Sequence, residues 1–213
     1  MGNHLAVCIG RQFGSGGREI GRLVAAKMGM EFYDKALLKE AAKKSGIVEE
    51  MFEKADEKPT SSLLYSLSMA ATGSKAPTFN EYTAYMPNDR LQNYISQVIR
   101  EAAEKSPCVI IGRCADYVLR GREKTFSLFL HAELETRIGR IAKKQNLDED
   151  AARALIRKTD RSRANYYSFY TDRDWGAADN YDMALNAGRF SVDQTVDTIC
   201  RVLQQLYGEN PAG

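Results

Sequence analysis

The stretch VCIGRQFGSGGREIGRLVAAKMG, Val7 to Gly29, decides the fold. It opens as an apolar run, passes through a glycine-rich turn and continues with Ile20, Leu23, Val24 and Met28 at helical spacing. A short, nearly continuous apolar run suits a central strand covered on both faces. The later residues form one buried stripe of a helix, which Gly29 ends. Strand, glycine turn and helix in this order are the layout of a phosphate-binding loop. Successive backbone N–H groups face a concavity, glycines allow close approach and positive φ, and the helix adds the positive end of its dipole. Phe13, Gly14, Ser15, Gly16, Gly17, Arg18 and Glu19 are the candidate phosphate-binding residues.

The loop departs from the usual G-x-x-x-x-G-K-[ST] spacing. Gly10 to Gly16 is one residue too long, and Gly17 stands in the lysine place. Arg18 and Glu19 follow where a magnesium-binding Ser or Thr is sought. Arg18 is the best substitute for the lysine, because it carries a permanent charge and a fork of donors suited to phosphate oxygens. The plainer reading is a solvated first-turn arginine. Ser15 is the one candidate for a hydroxyl contact to phosphate or magnesium; no other direct metal ligand is assigned. A dinucleotide-binding G-x-G-x-x-G fails, since Glu19 stands at the third glycine.

Outward from this stretch, EFYD, CVIIG, TFSLFLH and YDMALNA read as four further short strands. Asn88 is a candidate cap for a helix carrying Leu91, Tyr94, Ile95, Val98, Ile99 and Ala102 on one face. Leu134, Ile138, Ile141 and Ala142 mark another helix; residues 148 to 168 read as an arginine-rich one. Ser191 caps a last helix with Val192, Val196, Ile199 and Leu203. Residues 35 to 70 look helical in pieces, and 71 to 88 look like a long loop. Strands alternating with helices predict an α/β fold with a parallel sheet and helices on both faces. Ligands then bind beyond the carboxyl ends of the strands, at the loops that start near Gly10, Tyr33, Gly112, His131 and Asn186.

The 213 residues fit one domain with a mobile insert. A formal charge of +2 is too near balance to predict nucleic acid or an anionic membrane as partner. The four cysteines, Cys8, Cys108, Cys114 and Cys200, form no CxxC pair and read as reduced, mostly buried thiols. With two histidines, His4 and His131, a zinc site is not expected. No signal peptide or span of ~20 apolar residues is visible, so a cytoplasmic protein is expected.

Several pieces together resemble the cytidylate kinase-like group of P-loop proteins. FGSGGREIG is similar to that group's modified phosphate loop. VIIGRCADYVL is similar to its V-x-x-G-R-D strand and turn, and FSLFLHAELETRIGRI to its FL-x-A-x-x-x-x-R strand and helix. IRKTDRSRANYY resembles its arginine-rich lid, and NYDMALNAGRFSVDQTVDTI its last strand and helix. The resemblance covers nearly the whole chain and is thinnest from about 48 to 90. It implies a P-loop NTPase-type three-layer sandwich of about five parallel strands, with a core of 1–34, 106–147 and 176–208. A helical acceptor-binding insert would span about 35–105 and a lid about 148–175. It also implies transfer of the ATP γ-phosphate, with Mg2+, to a nucleoside monophosphate such as CMP or dCMP, or to a related small acceptor. A monomer or homodimer is expected.

Arg153, Arg157, Arg161 and Arg163 crowd the lid segment, where Asp160 is the only acid between residues 151 and 171. A closing lid bearing arginines would exclude water and clamp phosphates; a solvated helix face is the bland alternative. Arg157, Arg161 and Arg163, with Arg18, are the candidate catalytic residues. Arg113 matches the family's GRD arginine, which helps to hold the acceptor monophosphate. The family's aspartate is replaced by Cys114, with Asp116 two residues later. Asp34 matches an aspartate of the family's turn after the second strand and could equally be a helix cap. Asp34, Arg113 and Asp116 are the candidate acceptor-binding residues. The missing lysine keeps a second function in view, a nucleotide-binding regulatory protein with a degenerate loop.

Overall fold

The structure is a computed structural model that describes residues 4–34 and 87–208. The expected insert elements between residues 35 and 86 lie outside the described residues. Five strands form one all-parallel sheet in the order β2-β3-β1-β4-β5. They are β1 (Ala6–Arg11), β2 (Glu31–Tyr33), β3 (Cys108–Ile111), β4 (Thr125–His131) and β5 (Met183–Asn186). The central register pairs Ala6 with both Cys108 and Thr125. All five are the strands expected from the apolar runs.

Alternation along β1 builds two cores from one strand. Leu5, Val7 and Ile9 face α1 (Gly17–Met28) and the last helix (Val192–Tyr207), meeting Ile20, Val24, Val196, Ile199 and Leu203. Ala6 and Cys8 face the opposite side, where α2 (Pro87–Lys105) and the short α3 (Ala115–Val118) bring Ile95, Ile99, Ala103 and Ala115. Helices therefore cover both faces. The range assigned to the insert thus ends within the core: Ile95, Ile99 and Ala103 of α2 belong to a sheet face. That helix begins at Pro87, a residue whose fixed φ and missing N–H suit the first helical position. Asn88 accordingly stands inside the first turn and is not its cap.

α4 (Leu134–Gln145) and α5 (Glu149–Thr171) pack against each other beside the sheet through Ile138, Ile141, Ala152 and Ile156. Asn146, left-handed at φ 53, ends α4. Asp148 then caps α5, its carboxylate accepting from the Ala151 N–H at 2.7 Å. The final helix, α6 (Val192–Tyr207), starts with the expected Ser191 cap. Gln194 completes a reciprocal capping box. All four cysteines are free and buried; burial pushes the Cys108 thiol up to about 12. No described helix is long and apolar enough to cross a membrane.

Leu128 is fully buried at the centre of β4, whereas Leu206 of α6 is 59% exposed. Leu128→Ala is expected to cost about 2–5 kcal/mol in denaturant unfolding, and Leu206→Ala less than about 0.5 kcal/mol. Similar costs for the two would contradict this layering.

Candidate active site

The chain leaves β1 at Arg11 and enters α1 at Gly17, and the turn between them is held from outside by its carbonyls. Arg163 of α5 donates to the Arg11 carbonyl at 3.1 Å. Arg137 of α4 donates to the Phe13 carbonyl at 3.2 Å, and Arg140 to the Ser15 carbonyl at 2.9 Å. The Gln12 carbonyl accepts from the Ser15 hydroxyl at 2.9 Å and from its N–H at 3.3 Å. A planar trans peptide points its C=O and the following N–H in opposite directions. Holding the carbonyls of Phe13 and Ser15 outward therefore turns the N–H groups of Gly14 and Gly16 the other way. Those two, with the Gly17 N–H, have no hydrogen-bond partner among the described residues. Gly16 caps α1 in the left-handed region without a side-chain cap. The result is an N–H-lined turn at a helix start, a site fit for an anion.

Gly14 is fixed by both conformation and space. Its φ is +83°, and a Cβ there would lie 3.0 Å from the Arg137 Cβ and 3.1 Å from the Ile141 side chain. The loop thus lies directly against α4.

A second feature adjoins the first. After β3 the residues Gly112, Arg113 and Cys114 all have positive φ, 71°, 57° and 56°. For the two non-glycine residues this costs roughly 1–2 kcal/mol each, and such strain concentrates at functional sites. The turn buries Arg113 in a cleft lined also by Arg11, Arg163, Asp116, Tyr166, Tyr167, Trp175 and Tyr181. A Cβ at Gly112 would fall 2.0 Å from an Arg11 guanidinium nitrogen, so only glycine lets that side chain lie across the strand end. The Arg113 guanidinium stands 5.8 Å from the centre of the Tyr166 ring. Three guanidinium-bearing residues and a set of phenols therefore converge beside the phosphate-type turn.

The expected site residues separate in space. Arg18 is exposed and paired with Asp34, Nε to Oδ2 at 2.8 Å and Nη2 to Oδ2 at 2.5 Å. Its side chain is 74% exposed against 10% for Asp34. In this conformation Arg18 joins the start of α1 to the end of β2. Glu19 is exposed in the first turn of α1, where a carboxylate suits the helix dipole. Phe13 packs against the α4–α5 pair, with the Arg163 guanidinium 5.5 Å from its ring centre. Asp116 is largely withdrawn into the protein, its carboxylate accepting from the Tyr167 hydroxyl at 2.7 Å. Burial raises its pKa above the ordinary carboxylate value of 3.8, partly offset by that hydrogen bond. Of the lid arginines, Arg163 faces the cleft, whereas Arg157 and Arg161 are exposed. Arg153 forms a fork with Glu135 of α4 at 3.0 and 3.3 Å.

The Ser15 side chain is fully buried and its hydroxyl is spent inside the turn. Among the described residues no cluster of acids, histidines or cysteines could hold a metal ion. Sequence reasoning missed Arg11, Arg137, Arg140, Asp160 and Tyr181. Arg137 closes the FL-x-A-x-x-x-x-R pattern and Asp160 stands out as the one acid between residues 151 and 171; the others carry no local signal.

A family model described as "Cytidylate kinase-like family" matches residues 6–189. A cytidylate kinase from Methanopyrus kandleri is 30% identical over 115 residues, half of this chain and 60% of that protein. A cytidylate kinase from Archaeoglobus fulgidus is 27% identical over 135 residues, 61% of this chain and 72% of that protein. The chain therefore spans between three fifths and three quarters of these two curated relatives. Among solved structures, an uncharacterized protein from Eubacterium ventriosum superposes with a TM-score of 0.70 at 25% identity, covering 94% of this chain and 98% of that one. A shikimate kinase from Acinetobacter baumannii superposes at 0.52 with 14% identity, over 95% of this chain and 94% of that one, a likeness of fold alone. Sheet order, glycine turn and these superpositions agree on the P-loop α/β sandwich.

The environment of Asp116 gives a signed pH effect. Because its folded-state pKa is raised, the folded protein holds this proton more tightly than the unfolded chain. Its ionisation penalises folding progressively as pH rises from 3.8 through the raised value. Asp116→Asn removes that penalty and keeps an oxygen acceptor for Tyr167. Unfolding measured from acid to neutral pH is expected to favour the Asn variant increasingly with pH. Parallel stability curves would contradict the burial of this charge.

Proposed function

The chain belongs to the cytidylate kinase-like family, and on that premise we propose that it is an ATP-dependent phosphotransferase acting on a nucleoside monophosphate of the CMP or dCMP type, or on a related small acceptor. The observation that carries this reading is the adjacency of two anion-fit features at the end of β1. The N–H-lined turn at Gly14, Gly16 and Gly17 adjoins the cleft of Arg11, Arg113 and Arg163. Phosphoryl transfer needs a donor and an acceptor phosphate in line, with positive charge around the transferring group. A regulatory nucleotide binder needs only the first.

In this reading the N–H groups of Gly14, Gly16 and Gly17 hold the donor phosphates, with the start of α1 adding its dipole. Arg163 bridges turn and cleft. Arg113, buried and conformationally fixed, holds the acceptor phosphate. Asp116 and the phenols beside it line the wall against which the acceptor lies. Arg18 moves from Asp34 to the donor phosphates as substrates bind, and Asp34 is then released toward the acceptor. Arg157 and Arg161 approach when the lid closes. Magnesium bound to ATP would supply charge neutralisation of the transferring phosphates.

One observation favours the regulatory alternative: Arg18 is committed to Asp34 and the Ser15 hydroxyl to Gln12. ATP turnover with magnesium against a panel of nucleoside monophosphates separates the readings. Acceptor-dependent ADP release with a diphosphate product is expected. ATP binding without turnover across the panel would favour the regulator. Within an active protein, Arg18→Ala is expected to reduce turnover roughly 10²-fold, whereas Arg22→Ala, at an exposed position on α1, leaves it nearly unchanged. Equal effects would remove Arg18 from the lysine role.

A further inference from the structure

Asp160 sits in the middle of α5, yet its carboxylate does not serve its own helix. Oδ1 accepts the backbone N–H of Phe13 at 2.8 Å. Oδ2 accepts from Nη1 of Arg137 at 2.5 Å. The same Arg137 nitrogen donates to the Phe13 carbonyl, and its Nε donates to the Ala132 carbonyl at 3.0 Å. Both polar groups of one loop residue, Phe13, are thus taken by a single Arg–Asp pair. That pair is shielded, with side chains 9% and 18% exposed. Shielded, charge-assisted hydrogen bonds are the strong and geometrically demanding kind. Removing one partner would leave the other charge buried and unpaired.

The consequence lies three residues further along α5. Steps of three residues fall about 60° short of a full helical turn, so Arg157 and Arg163 lie on opposite flanks of Asp160, and with Asp160 held on Phe13 it is Arg163 whose flank faces the loop. Arg163 indeed reaches the Arg11 carbonyl and lies near the Phe13 ring. Arg157 and Arg161 point to solvent on the same helix, so the abundance of arginine alone does not aim any of them. The aim comes from Asp160, whose carboxylate is held on Phe13.

We infer that Asp160 is a positioning residue: through Arg137 and the Phe13 N–H it latches the lid helix to the phosphate loop and so sets Arg163 between loop and acceptor cleft. The inference rests on the phosphotransferase reading for its consequence in turnover, and on the loop geometry alone for the latch. The latch fixes the base of the lid to the loop. Lid closure is then a movement of the remainder of the helix pair about a fixed point.

The test uses the full chain with two independent readouts, amide hydrogen exchange at Phe13 and steady-state kinetics. Asp160→Ala is expected to speed Phe13 exchange at least tenfold while amides of β1 and β4 stay protected. It is expected to lower kcat at least tenfold and to change the KM for ATP less than threefold. Asp160→Asn keeps an acceptor for the Phe13 N–H but loses the charge facing Arg137, and should fall between the two. Asp160→Glu should recover part of kcat. Glu135→Ala, which breaks the exposed pair with Arg153 on the same two helices, should match the wild type in both readouts. Unchanged Phe13 exchange in Asp160→Ala, or a kcat within twofold of wild type, would overturn the inference. If Asp160→Ala does not fold, Asp160→Asn decides by kcat, and a value within twofold of wild type would overturn the inference. A folded wild type with no turnover on any acceptor would contradict the phosphotransferase reading instead, and Phe13 exchange alone would then decide the latch.

Discussion

The planarity of the peptide bond, combined with three arginines behind one turn, is the constraint on which the site depends. Arg163, Arg137 and Arg140 hold the carbonyls of Arg11, Phe13 and Ser15. The N–H groups that follow are turned by geometry. The Gln12 N–H goes to the Leu130 carbonyl of β4 and the Phe13 N–H to Asp160. Those of Gly14 and Gly16 have no hydrogen-bond partner among the described residues. The turn needs no lysine to acquire this shape. Its outer shell is cationic, and protein groups hold the loop carbonyls.

The sheet supplies the remaining order. β1 lies between β3 and β4, so the turn after β1 and the strained turn after β3 end side by side. Arg11 crosses from one to the other over Gly112. The left-handed run at Gly112, Arg113 and Cys114 is held by packing on both sides. Cys114 joins Tyr166 and Tyr167 of α5, with Tyr117 and Trp175 around them. The same helix that aims Arg163 at the loop thus also covers the strained turn. Disturbing α5 would disturb both phosphate-type sites together.

Much of this was legible in the sequence because it follows from local rules. The apolar runs read as the strands, the nearly continuous run through Val7 as a strand covered on both faces, and Gly29 and Ser191 as helix ends. The site was legible only in outline. Arg137, Arg140 and Asp160 act on residues more than a hundred positions away, and no local period announces such a contact. Arg11 reads as the end of a strand. The lid arginines show a different limit. Steps of four residues drift about 40° each around a helix, so Arg153, Arg157 and Arg161 fan out over about 80°. The first meets Glu135 and the others meet water, while Arg163 falls on the inner face. Arg18 was legible as a phosphate-side cation, but its pairing with Asp34 joins two candidates that sequence reading assigned to different substrates.

The most direct measurement of the central claim is the response of individual loop amides to an anion. Inorganic pyrophosphate titrated into 15N-labelled protein should shift the Gly14, Gly16 and Gly17 amide signals together and saturably, while the Phe13 amide, already held by Asp160, moves least. Shifts that leave the three glycines untouched, or that are largest at Phe13, would contradict a loop shaped in advance by its carbonyls.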